Sequence, residues 1–94
     1  MSQPIGRPAT GARYVAERVE GGEGTVVYRG LVRLPDADLA LEITITLPGG
    51  ATRAVVEGGA ADHEKTAAAL FRAATKSAVA SGEELPRKIE RWRG

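Results

Sequence analysis

His63 is the only histidine in a chain of 94 residues that contains no cysteine. A metal site built on imidazole, or a hydroxyl nucleophile activated by one, would have to be assembled around this single ring. Its neighbours Asp62 and Glu64 sit beside it at an expected helix start. Adjacent helical positions project in different directions, so the three side chains are not expected to converge on one ion. Without cysteine there is no thiol catalysis, thiolate zinc site or iron–sulfur cluster. The patterns G-x-S-x-G and H-E-x-x-H and the phosphate-binding P-loop are absent from the sequence.

Two carboxylate pairs could in principle do acid–base work. Asp36 and Asp38 fall in a turn, where aspartate bonds its own backbone. Glu83 and Glu84 follow an expected helix end and precede a basic segment. Both pairs read as local structure or solvated surface. Gly58-Gly59 before a helix could form an anion nest, but Ala60, Ala61, Asp62 and Glu64 follow, and the two acids would repel phosphate. The expectation is a non-enzymatic chain with no cofactor and no metal.

Two groups of residues point instead to binding. Arg87, Lys88, Arg91 and Arg93 surround Ile89 and Trp92 near the C-terminus, with Glu90 the one opposing charge. Such a segment can anchor in an acidic protein groove through Trp92, or neutralise phosphates and stack on bases. Alternatively, Ile89 and Trp92 pack on their own domain and the charges are solvated. The second group is the outward side of a strand, where Val27 and Leu31 alternate with Arg29 and Arg33. An arginine-rimmed apolar strip has an interface composition. Glu42, Thr44 and Thr46 on the neighbouring strand weaken a nucleic-acid reading of the same face.

The elements that must position these residues follow from periodicity. Ala12 to Glu20 has strand character with an ambiguous inner face, as expected of a sheet edge, where charge is tolerated. Gly21 to Gly24 makes a turn. Val26, Tyr28, Gly30, Val32 and Leu34 alternate with Val27, Arg29, Leu31 and Arg33. Leu39, Leu41, Ile43, Ile45 and Leu47 then give a nearly clean period of two, the mark of a strand with one buried face. Turns at Pro35–Asp38 and Pro48–Gly50 lead into the third and fourth strands, the fourth running from about 52 to 57. Short connections make the four strands an antiparallel meander. Asp62 is the expected helix cap and Gly82 the expected C-terminal stop. Between them Ala67, Leu70, Phe71, Ala74 and Ala78 fall on one helical face, which would cover the Leu39–Leu47 stripe. Leu85, Ile89 and Trp92 at i, i+4 and i+7 favour a short helix with Pro86 in its first turn.

The expected architecture is therefore α+β: a four-stranded antiparallel meander with one amphipathic helix on one face, plus a short basic C-terminal segment read as helical. Residues 1–11 are expected to be a flexible tail, 12–82 a single domain and 83–94 the basic segment.

Composition agrees with a small folded unit. Hydrophobic residues at 43% and charged residues at 27% are ordinary globular usage, which argues against a disordered chain. A net charge of +1 gives no global pull toward nucleic acid or membrane. With four aromatic residues, the core must be aliphatic and alanine-rich. Small cores often gain stability by self-association, so a homodimer is expected. No apolar run approaches the roughly 20 residues needed to span a bilayer, and residues 1–8 lack an apolar signal segment. A cysteine-free chain suits a reducing compartment. Abundant Arg, Ala and Gly suggest a bacterial source. The expected function is a cytoplasmic protein–protein interaction or adaptor module. The alternative is a nucleic-acid-binding or regulatory protein using the basic segment and the sheet-face arginines.

Overall fold

A computed structural model describes residues 11–20 and 24–93. The expected N-terminal tail lies outside the described residues except for Gly11, as does most of the Gly21–Gly24 turn. The chain forms β1 (Ala12–Glu20), β2 (Thr25–Arg33), β3 (Asp38–Thr46), β4 (Ala51–Val56), a short 3-10 turn, the helix α1 (Ala61–Ser81) and β5 (Lys88–Arg93). The strands make one antiparallel sheet in the order β4-β3-β2-β1-β5. The α+β class and the single packed helix agree with the sequence, but the sheet has five strands, not four.

The fifth strand is the expected C-terminal helix. Its i, i+4, i+7 spacing also allows Ile89 and Trp92 to lie on opposite faces of a strand, and the chain takes that option. Two effects favour it. Pairing with β5 satisfies the backbone groups that β1 would otherwise leave open. It also buries Ile89 against the core while Trp92 stays outside. Consequently β1 is not an edge strand. Arg13 and Glu17 stand opposite Trp92 and Lys88 of β5, and the register of β1 with β2 shifts between Arg18 and Glu20, the signature of a bulge.

The period of two sorts the sheet into two faces. Tyr14, Ala16, Tyr28, Val32, Leu41, Ile43, Ile45, Val56 and Ile89 line the helix side and are buried. From α1, Ala67, Phe71 and Thr75 are buried against them. The Phe71 ring meets Tyr28 edge-on, with centroids 5.9 Å apart. The expected helix face is confirmed, except that Thr75 was missed: it is buried because its hydroxyl donates to the Phe71 carbonyl at 2.8 Å, which removes the cost of burying it. Asp62 does not cap the helix. The cap position is Ala60, with no side-chain cap bond, while Gly82 ends the helix in the left-handed conformation at φ 70° as expected.

Because β4 and β5 lie at opposite edges and run the same way, α1 must carry the chain across the sheet. At 1.5 Å per residue a 21-residue helix is about 30 Å long, enough for the crossing. The return is pinned by three bonds: Arg18 N–H donates to the Arg87 carbonyl, the Arg18 guanidinium to the Leu85 carbonyl, and the Tyr28 hydroxyl to the Pro86 carbonyl.

Gly30 sets how closely β1 and β2 approach. A Cβ there would lie 1.9 Å from the Val15 carbonyl oxygen and 2.6 Å from the Ala16 Cα, both backbone atoms. Nothing lies within 4 Å of a Cβ at Gly49. Gly30→Ala is therefore expected to cost about 2–3 kcal/mol or more of stability, because backbone must move, whereas Gly49→Ala changes stability by less than about 1 kcal/mol. Urea unfolding of the two variants side by side checks this.

Candidate interaction surface

The face of the sheet away from α1 has no covering element among the described residues. Strand registry arranges it in rows. One row runs Trp92–Arg13–Arg33–Asp38, the next Glu90–Val15–Leu31–Ala40, and the next Lys88–Glu17–Arg29–Glu42–Val55. Val27 lies beside Thr44, and Thr44 beside Arg53, in a further row. Val27, Arg29, Leu31, Arg33, Lys88 and Trp92 from the sequence-based set thus share one surface.

The other four members of that set lie elsewhere. Ile89 is buried in the core. Arg91 and Arg93 alternate to the helix side of β5, and Arg87 precedes the strand. The expected basic cluster is therefore split between the two faces of one edge strand.

Charges on the open face are largely matched. Arg29 Nε lies 3.0 Å from the Glu42 carboxylate and Arg33 Nε 3.5 Å from Asp38. Arg13 pairs with Glu90 and places its guanidinium carbon 5.5 Å from the Trp92 ring centre. Val15, Val27 and Leu31 on this face are half-buried. Trp92 itself is 56% exposed. By contrast, Arg53, Arg87, Lys88, Arg91 and Arg93 have no ion-pair partner among the described residues.

The candidate chemical groups do not assemble into a cluster that could hold a metal; among the described residues no three His, Asp or Glu side chains converge. His63 has a partner the sequence reading missed: its Nδ1 lies 3.0 Å from the Tyr14 hydroxyl, across the end of the sheet. Tyr14 is distant in sequence, and only the fold brings it there. The pair borders a hollow of about 400 Å³, lined also by Leu34, Asp62, Thr66 and Arg93. Glu64 is used structurally, accepting the Val56 N–H at 2.9 Å. Glu84 pairs with Arg18, and Asp38 with Arg33. Gly58 and Gly59 belong to the 3-10 turn. A cleft of about 780 Å³ between the Pro48–Gly50 turn and α1 is floored by alanine, glycine and Val79, with Arg72 and Lys76 at its rim. Its buried hydroxyl, Thr75, already donates to the helix backbone. No described helix is long and apolar enough to cross a membrane.

The chain matches no protein-family model, no curated protein and no solved structure. Its surface chemistry carries the functional argument alone.

Burial raises the Tyr14 phenol above its usual pKa of 10.0, against smaller opposing effects of Thr66 and Arg93. Burial also raises Tyr28, opposed by Arg18. A raised folded-state pKa means the unfolded chain releases these protons first. Stability from this source is full below pH about 10 and is lost as pH climbs through the folded values. The urea midpoint is expected to fall above pH 10, and more gently in Tyr14→Phe, whose midpoint near neutrality is lower by about 1 kcal/mol of stability for the lost His63 bond. Unfolding curves across alkaline pH, with ultraviolet titration of the phenols, check both points.

Proposed function

We propose that this protein is a non-enzymatic protein–protein interaction module that self-associates, acting in the cytoplasm of a bacterial cell. The observation that carries this reading is the uncovered sheet face, with its apolar row Val15–Leu31–Ala40 between rows of paired charges. Three nine-residue and two six-residue strands about 4.8 Å apart give this face roughly 600 Å² in plan, near the ~800 Å² per partner of a standard interface. Its mixture of aliphatic side chains, arginines and a tryptophan is interface composition.

The ion pairs weigh against nucleic acid on this face. Phosphate binding draws on free cations and the counterions they displace. Arg29 and Arg33 are engaged by Glu42 and Asp38. Of the unmatched cations, Arg53 lies on β4, while Arg87, Lys88, Arg91 and Arg93 gather at β5 beside the exposed Trp92, and there the nucleic-acid reading keeps some support. It predicts binding to single-stranded oligonucleotide that falls steeply with salt.

Sedimentation velocity over a concentration range tests the main reading. The wild-type chain is expected to dimerise, and Leu31→Glu, which sets a charge in the middle of the apolar row, is expected to remain monomeric with its fold intact by circular dichroism. A wild-type chain that stays monomeric at about 100 μM rules out functional self-association on this face, because standard interfaces of this size hold far tighter.

A further inference from the structure

We propose that the outer edge of β5 accepts an added strand from an acidic, extended segment of a partner protein. This rests on the interaction-module reading and supplies its partner class and mode of contact.

The hydrogen-bond register shows which backbone groups of β5 are open. Arg18 N–H donates to the Arg87 carbonyl at 2.7 Å, in line with the pairing of Glu17 with Lys88. In an antiparallel ladder the bonded pairs alternate with non-bonded ones. Arg87, Ile89, Arg91 and Arg93 therefore turn their N–H and C=O groups toward β1. Lys88, Glu90 and Trp92 turn theirs outward. The Glu90 carbonyl confirms this direction, since the Arg91 guanidinium reaches it from outside at 2.8 Å.

The two edges of the sheet differ. On β4, the outward Val56 N–H is taken by the Glu64 carboxylate at 2.9 Å, and the Glu57 carboxylate takes the Ala40 N–H just past the end of that strand. Side chains from the following turn and helix thus close one end of that edge. On β5, no described side chain takes the outward N–H groups. The one covered acceptor, the Glu90 carbonyl, is held by an exposed neighbour that a new strand can displace.

Charge selects the occupant. From Lys88 to Arg93 the strand carries three cations and one carboxylate, and that carboxylate already pairs with Arg13. Arg87 adds a further unmatched cation. A second copy of the chain is poorly suited. Its β5 would oppose like charges, and its β4 carries Arg53 and no acid. The chain's own residues 1–10 contain no acidic side chain. An incoming acidic strand would meet Lys88 on one face and Arg91 and Arg93 on the other, with Trp92 offering an apolar surface beside it.

The test uses the full chain, isotope-labelled for NMR, and a blocked eight-residue peptide alternating glutamate with valine. Saturating peptide is expected to slow hydrogen exchange at the Lys88, Glu90 and Trp92 amides, while a lysine–valine peptide does not. Lys88→Ala and Lys88→Pro remove the same charge, but only the proline removes an outward N–H, and it spares the β1 ladder. Lys88→Pro is expected to weaken binding about tenfold relative to Lys88→Ala, the effect of one lost hydrogen bond. Equal binding by the two variants, both folded by their spectra, overturns the proposal, as does unchanged exchange at those amides. Perturbation confined to Val27 and Leu31 overturns strand addition yet leaves the interaction module standing. Slowed exchange that grows with protein concentration in the absence of peptide assigns the edge to a second copy and overturns the acidic partner.

Discussion

The closure of β5 onto β1 is the constraint on which the rest of the structure depends. After α1 the chain must return to the far edge of the sheet, and no covalent link holds it there in a molecule without cysteine. The fastening is polar. Arg18 sits at the bulged end of β1 and bonds at once to the Arg87 carbonyl through its backbone and to the Leu85 carbonyl and Glu84 through its side chain. Tyr28, on the next strand, holds the Pro86 carbonyl. These contacts order residues 84–87, and that in turn seats Leu85 and Ile89 in the core. Burying two such side chains is worth roughly 4–5 kcal/mol in apolar area, an amount comparable to the whole stability of a small domain. The polar contacts contribute less net energy but decide where the strand lands.

Once β5 is in place, the candidate surface is a geometric consequence. A strand whose odd residues face the helix side must present its even residues on the open face. Trp92 is therefore held beside Arg13, and Glu90 is delivered to the same guanidinium. The open face acquires its row of matched charges from strands distant in sequence. In a helix, Trp92 and Ile89 would share one side, the tryptophan would be buried, and the basic residues would ring a cylinder instead of lining an edge.

Much of the fold was legible because β3 and α1 each bury a single face, and a single buried face imprints its period on the sequence. Leu39 to Leu47 could only be a half-buried strand, and Ala67, Phe71 and Ala74 could only be a helix packed closely on a sheet. The C-terminal segment was not legible, because Leu85, Ile89 and Trp92 satisfy a helical period while just two of them are core residues. Local pattern cannot register the unpaired edge of β1 some seventy residues earlier, which is what made a strand the better solution. Tyr14 was hidden for the same reason: its partner His63 meets it through tertiary packing alone. Gly30 did leave a signal, since glycine inside an otherwise regular strand marks close backbone approach. On the candidate surface, Val27, Leu31 and their arginines were readable from alternation. Which arginines are free was not, because that depends on registry with Glu42 and Asp38.

The difference between the two sheet edges bears on what each edge can pair with. An exposed edge pairs indiscriminately unless something restrains it. On β4 the restraint is direct, since the carboxylate of Glu64 occupies a backbone donor that a second chain would need. On β5 the restraint is electrostatic: Lys88, Arg91 and Arg93 repel any strand of like charge, including the same strand of another copy. Blocking a donor excludes every partner equally, whereas charge excludes some and favours others. An edge protected by unmatched cations therefore discriminates among strands by the sign of their charge. The same residues that prevent indiscriminate pairing can thus select an acidic one, which is why the guarded edge and the selective edge need no separate machinery.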